Sequence, residues 1–250
     1  MNILDNDRYL ADIRKALDTV YDPELDQSIS ELDFVKGISI NQGRVCVTLG
    51  LPTYWCSPNF AFIMMEDIDQ ALSSLPWVKQ VRVILDDHES STRLNAGIAE
   101  HKTFPEIFSE SPGDLEKLRR TFAEKAFYAR QKYIVDLLTR DGLNVADWIP
   151  GNWKELKRHL TTSREGQQLW DRYYLLAQKL GIASGDHDPA ITGTSGKAVT
   201  GEMWERHFHQ LRLITLNMES NAHICRGLLR VRYQPEGRSP LVSLPLVDQS

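Results

Sequence analysis

A thiol, a hydroxyl and a helix start meet in the run Leu51-Pro52-Thr53-Tyr54-Trp55-Cys56-Ser57-Pro58-Asn59. A β-branched run ends at Leu49 and a helical pattern begins after Pro58. Ser57 suits the N-cap, and Pro58 suits the first helical position, where no N–H is needed. Cys56 is therefore expected just outside a helix N-terminus, beside free amides and the positive end of the dipole. Such surroundings favour the thiolate, the form that ligates metal or attacks an electrophile. The plainer alternative is a small apolar side chain tucked under the helix start, since cysteines are commonly buried.

Three other groupings could do chemistry, and each has a stronger bland reading. Asp86-Asp87-His88-Glu89 offers metal-ligating side chains, but successive residues rarely converge on one ion. It reads as a solvated strand-to-helix connection. Gly193-Thr194-Ser195-Gly196-Lys197 lacks the spacing, the following Ser/Thr and the preceding strand of a phosphate loop. Glu205, His209 and Arg212 recur 14 residues later as Glu219, His223 and Arg226, all on one face of the last helix. Two Glu-x-x-x-His pairs could bind iron, yet they lie about 21 Å apart along the helix. Helical di-iron sites use Glu-x-x-His with carboxylates from other helices. The stripe therefore reads as polar pairs opposite a core side of Trp204, Leu211, Ile214 and Met218.

The elements that must position Cys56 follow from periodicity. Leu10, Ile13, Leu17 and Val20 mark an amphipathic first helix that stops before Pro23. Ile38 and Ile40, a turn at Asn41-Gln42-Gly43, then Val45, Val47 and Leu49 predict a β-hairpin, with Cys46 on the opposite face and structural. Ala61, Met64, Ile68, Leu72 and Leu75 give a helical stripe ending at Pro76, and Val81, Val83 and Leu85 a further strand. The strand–helix–strand succession predicts a crossover that packs the helix on the sheet. The fold class is thus α+β. Residues 1–88 form a small α-β-β-α-β domain, 89–112 a linker with a break at Ser111-Pro112-Gly113-Asp114, and 113–250 an all-α region. In that region Leu115 to Leu137 form a stripe ending near Gly142, and Asp147 to Trp153 a turn with two tryptophans. Ser163 caps a helix that stops at Gly181, residues 183–200 form a loop, and a Pro-punctuated tail closes the chain.

Val20-Tyr21-Asp22-Pro23-Glu24, then Ser28-Ile29-Ser30-Glu31-Leu32-Asp33-Phe34-Val35, then Thr53-Tyr54-Trp55-Cys56-Ser57-Pro58 resembles, in order, the MIP18/PaaD/SufT family, also called the DUF59 or metal–sulfur cluster assembly domain. Two positions depart from its pattern: Asp33 stands where the family usually has Gly, and Ser57 intervenes between Cys56 and Pro58. The resemblance implies a non-enzymatic accessory role in iron–sulfur cluster or metal-centre assembly, as carrier or as adaptor to a client metalloenzyme. It implies a site at Cys56, the metal ligand, with Thr53, Asp22 and Glu24 around it. A cluster normally takes four thiolates. Cys56 would then hold iron or a cluster transiently, with further ligands from a second subunit in a homodimer, a small thiol or the client. Longer members resemble proteins encoded beside bacterial di-iron monooxygenases. That implies an oxygenase subunit as client, gripped by the helical region. A reading of a different class is a cysteine-dependent enzyme with Cys56 as nucleophile and one of the seven histidines as base.

Composition bounds the rest. At 250 residues, with 42% hydrophobic and 25% charged, the chain has the make-up of a globular protein with room for one large domain or two ordinary ones. No 18-residue apolar run offers a membrane span. A net charge of −5 argues against a general nucleic-acid binder. Three scattered cysteines (Cys46, Cys56, Cys225) suit a reducing cytoplasm and offer no closed zinc site from thiolates alone.

Overall fold

The structure is a computed structural model that describes residues 3–110, 114–144 and 151–233. The expected break at 111–113, most of the turn around Trp148 and the tail from residue 234 lie outside the described residues. The chain divides into two compact units, one of residues 1–115 with 220–250 and one of residues 116–219.

In the first unit, α1 (Ile3–Leu17) leads to a two-stranded ladder of β1 (Tyr21–Asp22) and β2 (Gln27–Ser28), which closes the Asp22-Pro23-Glu24 turn. The main sheet has three strands, β3 (Val35–Asn41), β4 (Arg44–Gly50) and β5 (Gln80–Asp86), in that order. The hairpin between β3 and β4 pairs Asn41 with Arg44 across a two-residue loop. Gln42 (φ 51°) and Gly43 (φ 84°) both lie in the left-handed region, the conformation whose twist matches a tight hairpin. Helix α2 (Pro58–Ser73) carries the chain from β4 to β5, which run parallel, with Gly50 opposite Asp86 at their carboxyl ends. Val45, Val47, Leu49, Val83 and Leu85 share the buried face with Ile13 and Leu17 of α1 and Ala61, Met64, Met65, Ile68 and Leu72 of α2. The α+β expectation and the α-β-β-α-β order hold.

Residues 89–112, expected as a linker, instead contain α3 (Ser91–Ala99) and α4 (Phe104–Ile107). Leu94, Ile98, Phe104 and Phe108 join the first core. These apolar residues are too few and too close to a helix-poor context to give a readable stripe. Ala222 and Leu229, from the end of the last helix, enter that same core, so the first unit is discontinuous in sequence.

The second unit is helical: α5 (Leu115–Arg140), α6 (Trp153–Leu160), α7 (Arg164–Lys179) and the first part of α8 (Gly201–Tyr233). Phe127, Ile134, Leu138, Trp153, Leu156, Trp170 and Tyr173 are its packing centre. Ser163 caps α7 as expected, accepting from Gly166 N at 3.0 Å. Residues 183–200 form turns, but Ala190, Ile191 and Thr192 are buried, so the loop is built into the core. A buried polar chain fixes it there. Gln131 Nε2 donates to Tyr173 Oη (2.6 Å) and to the Thr192 carbonyl (3.1 Å), and Tyr173 Oη donates to the Ala190 carbonyl (2.7 Å).

Asp33 adopts φ 58°, a left-handed position that explains the Gly usual there in the resembling family. Asp tolerates this conformation better than most L-residues. Asp33→Gly should leave stability to urea unchanged, whereas Asp33→Val should cost about 1–2 kcal/mol. Equal stability of both variants would show that the turn relaxes away from this conformation.

Candidate functional site

Cys56 lies between the carboxyl end of β4 and the start of α2, and the backbone around it is held from three sides. Ser57 occupies the N-cap and Pro58 the first turn, although the Ser57 side chain makes no capping bond. Cys56 N–H reaches the Thr53 carbonyl at 3.5 Å, and Thr53 Oγ1 sits 3.3 Å from Cys56 Sγ. The third hold comes from beyond β5. His88 Nδ1 accepts from Ser90 N–H at 3.0 Å, which leaves Nε2 as the nitrogen that donates to the Cys56 carbonyl at 2.7 Å. His88 is only 2% exposed. The polar run Asp86 to Glu89 is thus more than the solvated connection its composition suggests.

Both ring nitrogens of His88 are engaged with backbone, so the histidine nearest Cys56 along this loop orients the chain and does not face the sulfur. The nucleophilic reading asks for a base hydrogen-bonded to the thiol. The hydrogen-bonding neighbour that the structure gives Cys56 Sγ is the Thr53 hydroxyl.

Cys56 lines a cavity of about 240 Å³ together with Asp22, Glu24, Phe34, Phe60 and Cys225. Asp22 and Glu24 arrive there through the Asx-type turn of the first ladder: Asp22 Oδ1 accepts from the N–H of Glu24 and of Leu25, each at 2.9 Å. Asp22 is 7% exposed. Burial, reinforced by the neighbouring Glu24 charge and opposed by those two N–H bonds, pushes its carboxyl up to about 6. Asp22 and Glu24, far from Cys56 in sequence, are therefore brought to the Thr53–Cys56 loop.

Cys225, within the last three turns of α8, lines this cavity although periodicity does not reveal it. The end of α8 is fastened to the site's own loops: Asn221 Nδ2 donates to Glu24 Oε1 (3.4 Å) and Arg226 NH1 to Gln27 Oε1 (2.6 Å). Arg232 donates to the Leu51 carbonyl (3.0 Å), to Asp87 Oδ2 (Nε, 3.0 Å) and to the Asp87 carbonyl. Tyr233 packs so close to Gly50 that a Cβ there would lie 3.0 Å from its ring, and Lys36 Nζ stands 4.4 Å over that ring. Burial and the charges of Asp22, Cys56 and Glu24 push the Cys225 thiol up to about 11.

Two members of the Glu/His/Arg stripe of α8 take ordinary hydrogen-bond partners. Glu219 accepts from Tyr133 Oη at 3.0 Å, and Arg226 is engaged with Gln27. Its buried histidine is one the stripe omits, His207, bound to Gln131 Oε1. Cys46 stays on the far face of the sheet, opposite Ser39, as its register required. Among the described residues no group of three or more His, Cys, Asp or Glu is arranged to hold a metal ion. A soft metal cargo could therefore take one or two ligands from this cavity, and its remaining ligands would come from outside it.

The raised Asp22 pKa has a measurable consequence. A carboxyl raised from about 3.9 to about 6 contributes stability that is complete below pH 4 and lost as pH rises through 6. Above that, the ionised group costs the fold up to about 3 kcal/mol. Asn retains the Oδ1 acceptor of the turn, so Asp22→Asn should be more stable than wild type at pH 7.5. The advantage should vanish by pH 4 in parallel denaturant titrations. A pH-independent difference would mean that the carboxylate is solvated.

Residues 10–83 match the family model described as iron–sulfur cluster assembly protein. That span holds Asp22, Glu24, Thr53 and Cys56 but neither His88 nor Cys225. Over 64 residues the chain is 42% identical to an iron–sulfur cluster carrier protein of Synechocystis sp., a match taking in 26% of this chain and 18% of that protein. Among the described residues no helix is long and apolar enough to cross a membrane. The T-x-x-C loop, the Asp-Pro-Glu turn and most of the three-stranded sheet fall inside the matched span, so it is residues 10–83 that are similar to the iron–sulfur cluster assembly (DUF59/MIP18-like) family, and the chain continues beyond them mainly as helices.

Proposed function

We propose that this protein is an accessory factor of iron–sulfur cluster or metal-centre assembly, which carries its cargo at the Cys56 loop and passes it to a client metalloenzyme. The observation that carries this reading is the half-buried Cys56 thiol beside the Thr53 hydroxyl, opening on a small cavity with two carboxylates. A thiol must lose its proton to ligate iron. The Thr53 hydroxyl can donate to the resulting sulfur anion, which lowers the cost of forming it in a part-buried place. A cluster that takes most of its ligands from a second copy of the chain, a small thiol or the acceptor is held by few bonds. That kinetic openness suits a carrier and would not suit a resident cofactor.

Exposed apolar groups offer contact surfaces for a client. Trp55 is 75% exposed next to the thiol, its ring edge-on to Tyr54 at 5.0 Å. On the helical unit Leu213 and Leu216 are exposed one turn apart on α8. In this reading the helical unit binds the client. An oxygenase subunit as that client rests on the resemblance of longer family members alone.

Full-length protein reconstituted anaerobically with ferrous iron and sulfide should bind both. Cys56→Ala should weaken iron binding by more than the about 10- to 100-fold that loss of an outer-shell partner costs. Cys46→Ala should not change it. Stoichiometric iron and sulfide in Cys56→Ala would overturn the site. Leu213→Glu combined with Leu216→Glu should leave iron binding intact and lower the metal content of a co-expressed oxygenase subunit. Undiminished metal in that subunit would remove α8 from the client surface.

A further inference from the structure

We infer that Cys225 is the second thiol of the Cys56 site, so that the two sulfurs together take a thiophilic divalent metal ion, with iron as the cargo. The inference rests on the carrier reading above and goes past it, because Cys225 lies far outside the matched family span.

Three observations converge. Cys56 and Cys225 line the same cavity of about 240 Å³, and both pack against the first core. Both belong to one compact unit, which takes in α8 from Ser220 onward. The helix segment bearing Cys225 is held on either side of the thiol by bonds to elements around the cavity: Asn221 to Glu24 of the Asp-Pro-Glu turn, Arg226 to Gln27 of β2, Arg232 to Leu51 and Asp87. Cys225 is thereby held in place at the cavity wall.

Chemistry narrows the ligand. Two thiols with two carboxylates nearby give a soft donor pair in a strongly anionic cavity, which selects a thiophilic cation over a hard one such as magnesium. Asp22 and Glu24 line the same cavity as the two sulfurs. Arg226, the cation that works against them, gives its NH1 to Gln27. Two sulfurs are half of the four thiolates a cluster normally takes. This agrees with the structure holding no closed group of three ligands among the described residues. Ligation releases one proton from each thiol and forms two metal–sulfur bonds, with no change of oxidation state.

Cobalt(II) added anaerobically to the reduced full-length protein serves as the probe, because its sulfur-to-metal charge-transfer absorption grows with the number of bound thiolates. Cys225→Ser should lower that absorption by half and weaken binding by more than the about 10- to 100-fold that loss of an outer-shell partner costs. Cys56→Ser should do the same, while Cys46→Ser leaves the titration unchanged. A second measurement needs no variant. Saturating cobalt(II) should protect Cys56 and Cys225 of the wild-type chain from alkylation, read peptide by peptide by mass spectrometry, and should not protect Cys46. Protection of Cys56 without Cys225 would overturn the inference and leave the carrier reading standing. Protection of neither would overturn both.

Discussion

The bond from His88 Nε2 to the Cys56 carbonyl is the constraint on which the site depends. β4 and β5 run parallel and end together, Gly50 opposite Asp86, so the loops that leave them emerge side by side. In sheets with parallel strands, ligands gather beyond the carboxyl ends because loops from several strands meet there. Here the loop after β4 carries Cys56 and the loop after β5 carries His88. A ring bound to backbone at both nitrogens has one tautomer and one orientation, and it sets the height of the thiol above the sheet. Glu89 N–H adds a second tie between the same loops, to the Tyr54 carbonyl at 3.0 Å.

Around this frame the structure accepts electrostatic cost. A buried carboxyl with two N–H donors at one oxygen is still pushed up to about 6, and a thiol beside it rises to about 11. Neither group is needed to satisfy the other, since they repel when charged. Apolar residues of similar size would make a more stable core. Perturbed acidic groups gathered in one small cavity mark it as a candidate functional site. Phe34, Phe60 and Met64 line the same cavity.

The first domain was legible because its sheet is covered on one face. A covered face forces alternation on Val45, Val47 and Leu49 and a 3.6-residue stripe on α2, and both periods stand out. Cys56 was legible for a related reason: Ser57 and Pro58 announce a helix start. His88 was not, because one buried residue in the polar stretch Asp86 to Glu89 creates no period. Its burial depends on a carbonyl 32 residues away. Helices α3 and α4 escaped because each adds only two apolar residues to the core. Cys225 escaped for the strongest reason. Contacts such as Asn221 to Glu24 span 197 residues, and nothing local in α8 says which part of the chain its end will meet.

A division of labour in which residues 1–88 hold the whole reactive site is hard to reconcile with that last contact set. Ala222 and Leu229 are as deeply buried as the residues of α1 and α2 that they join. A chain cut before α8 would leave apolar surface open and Asp22, already desolvated, facing water on a new side. Its pKa would fall toward the ordinary value, and Arg232 would no longer tie Leu51 to Asp87. The fragment's sheet would persist, since its strands pair with one another. The geometry of the Cys56 loop would loosen, because one of its flanking carbonyls is fixed from α8. Closing loops of this length costs entropy that grows only slowly with length. Returning the end of α8 to the first domain is therefore an affordable way to complete a cavity. It also makes completion of the cavity wait on synthesis and folding of α8, which supplies Cys225 to its wall.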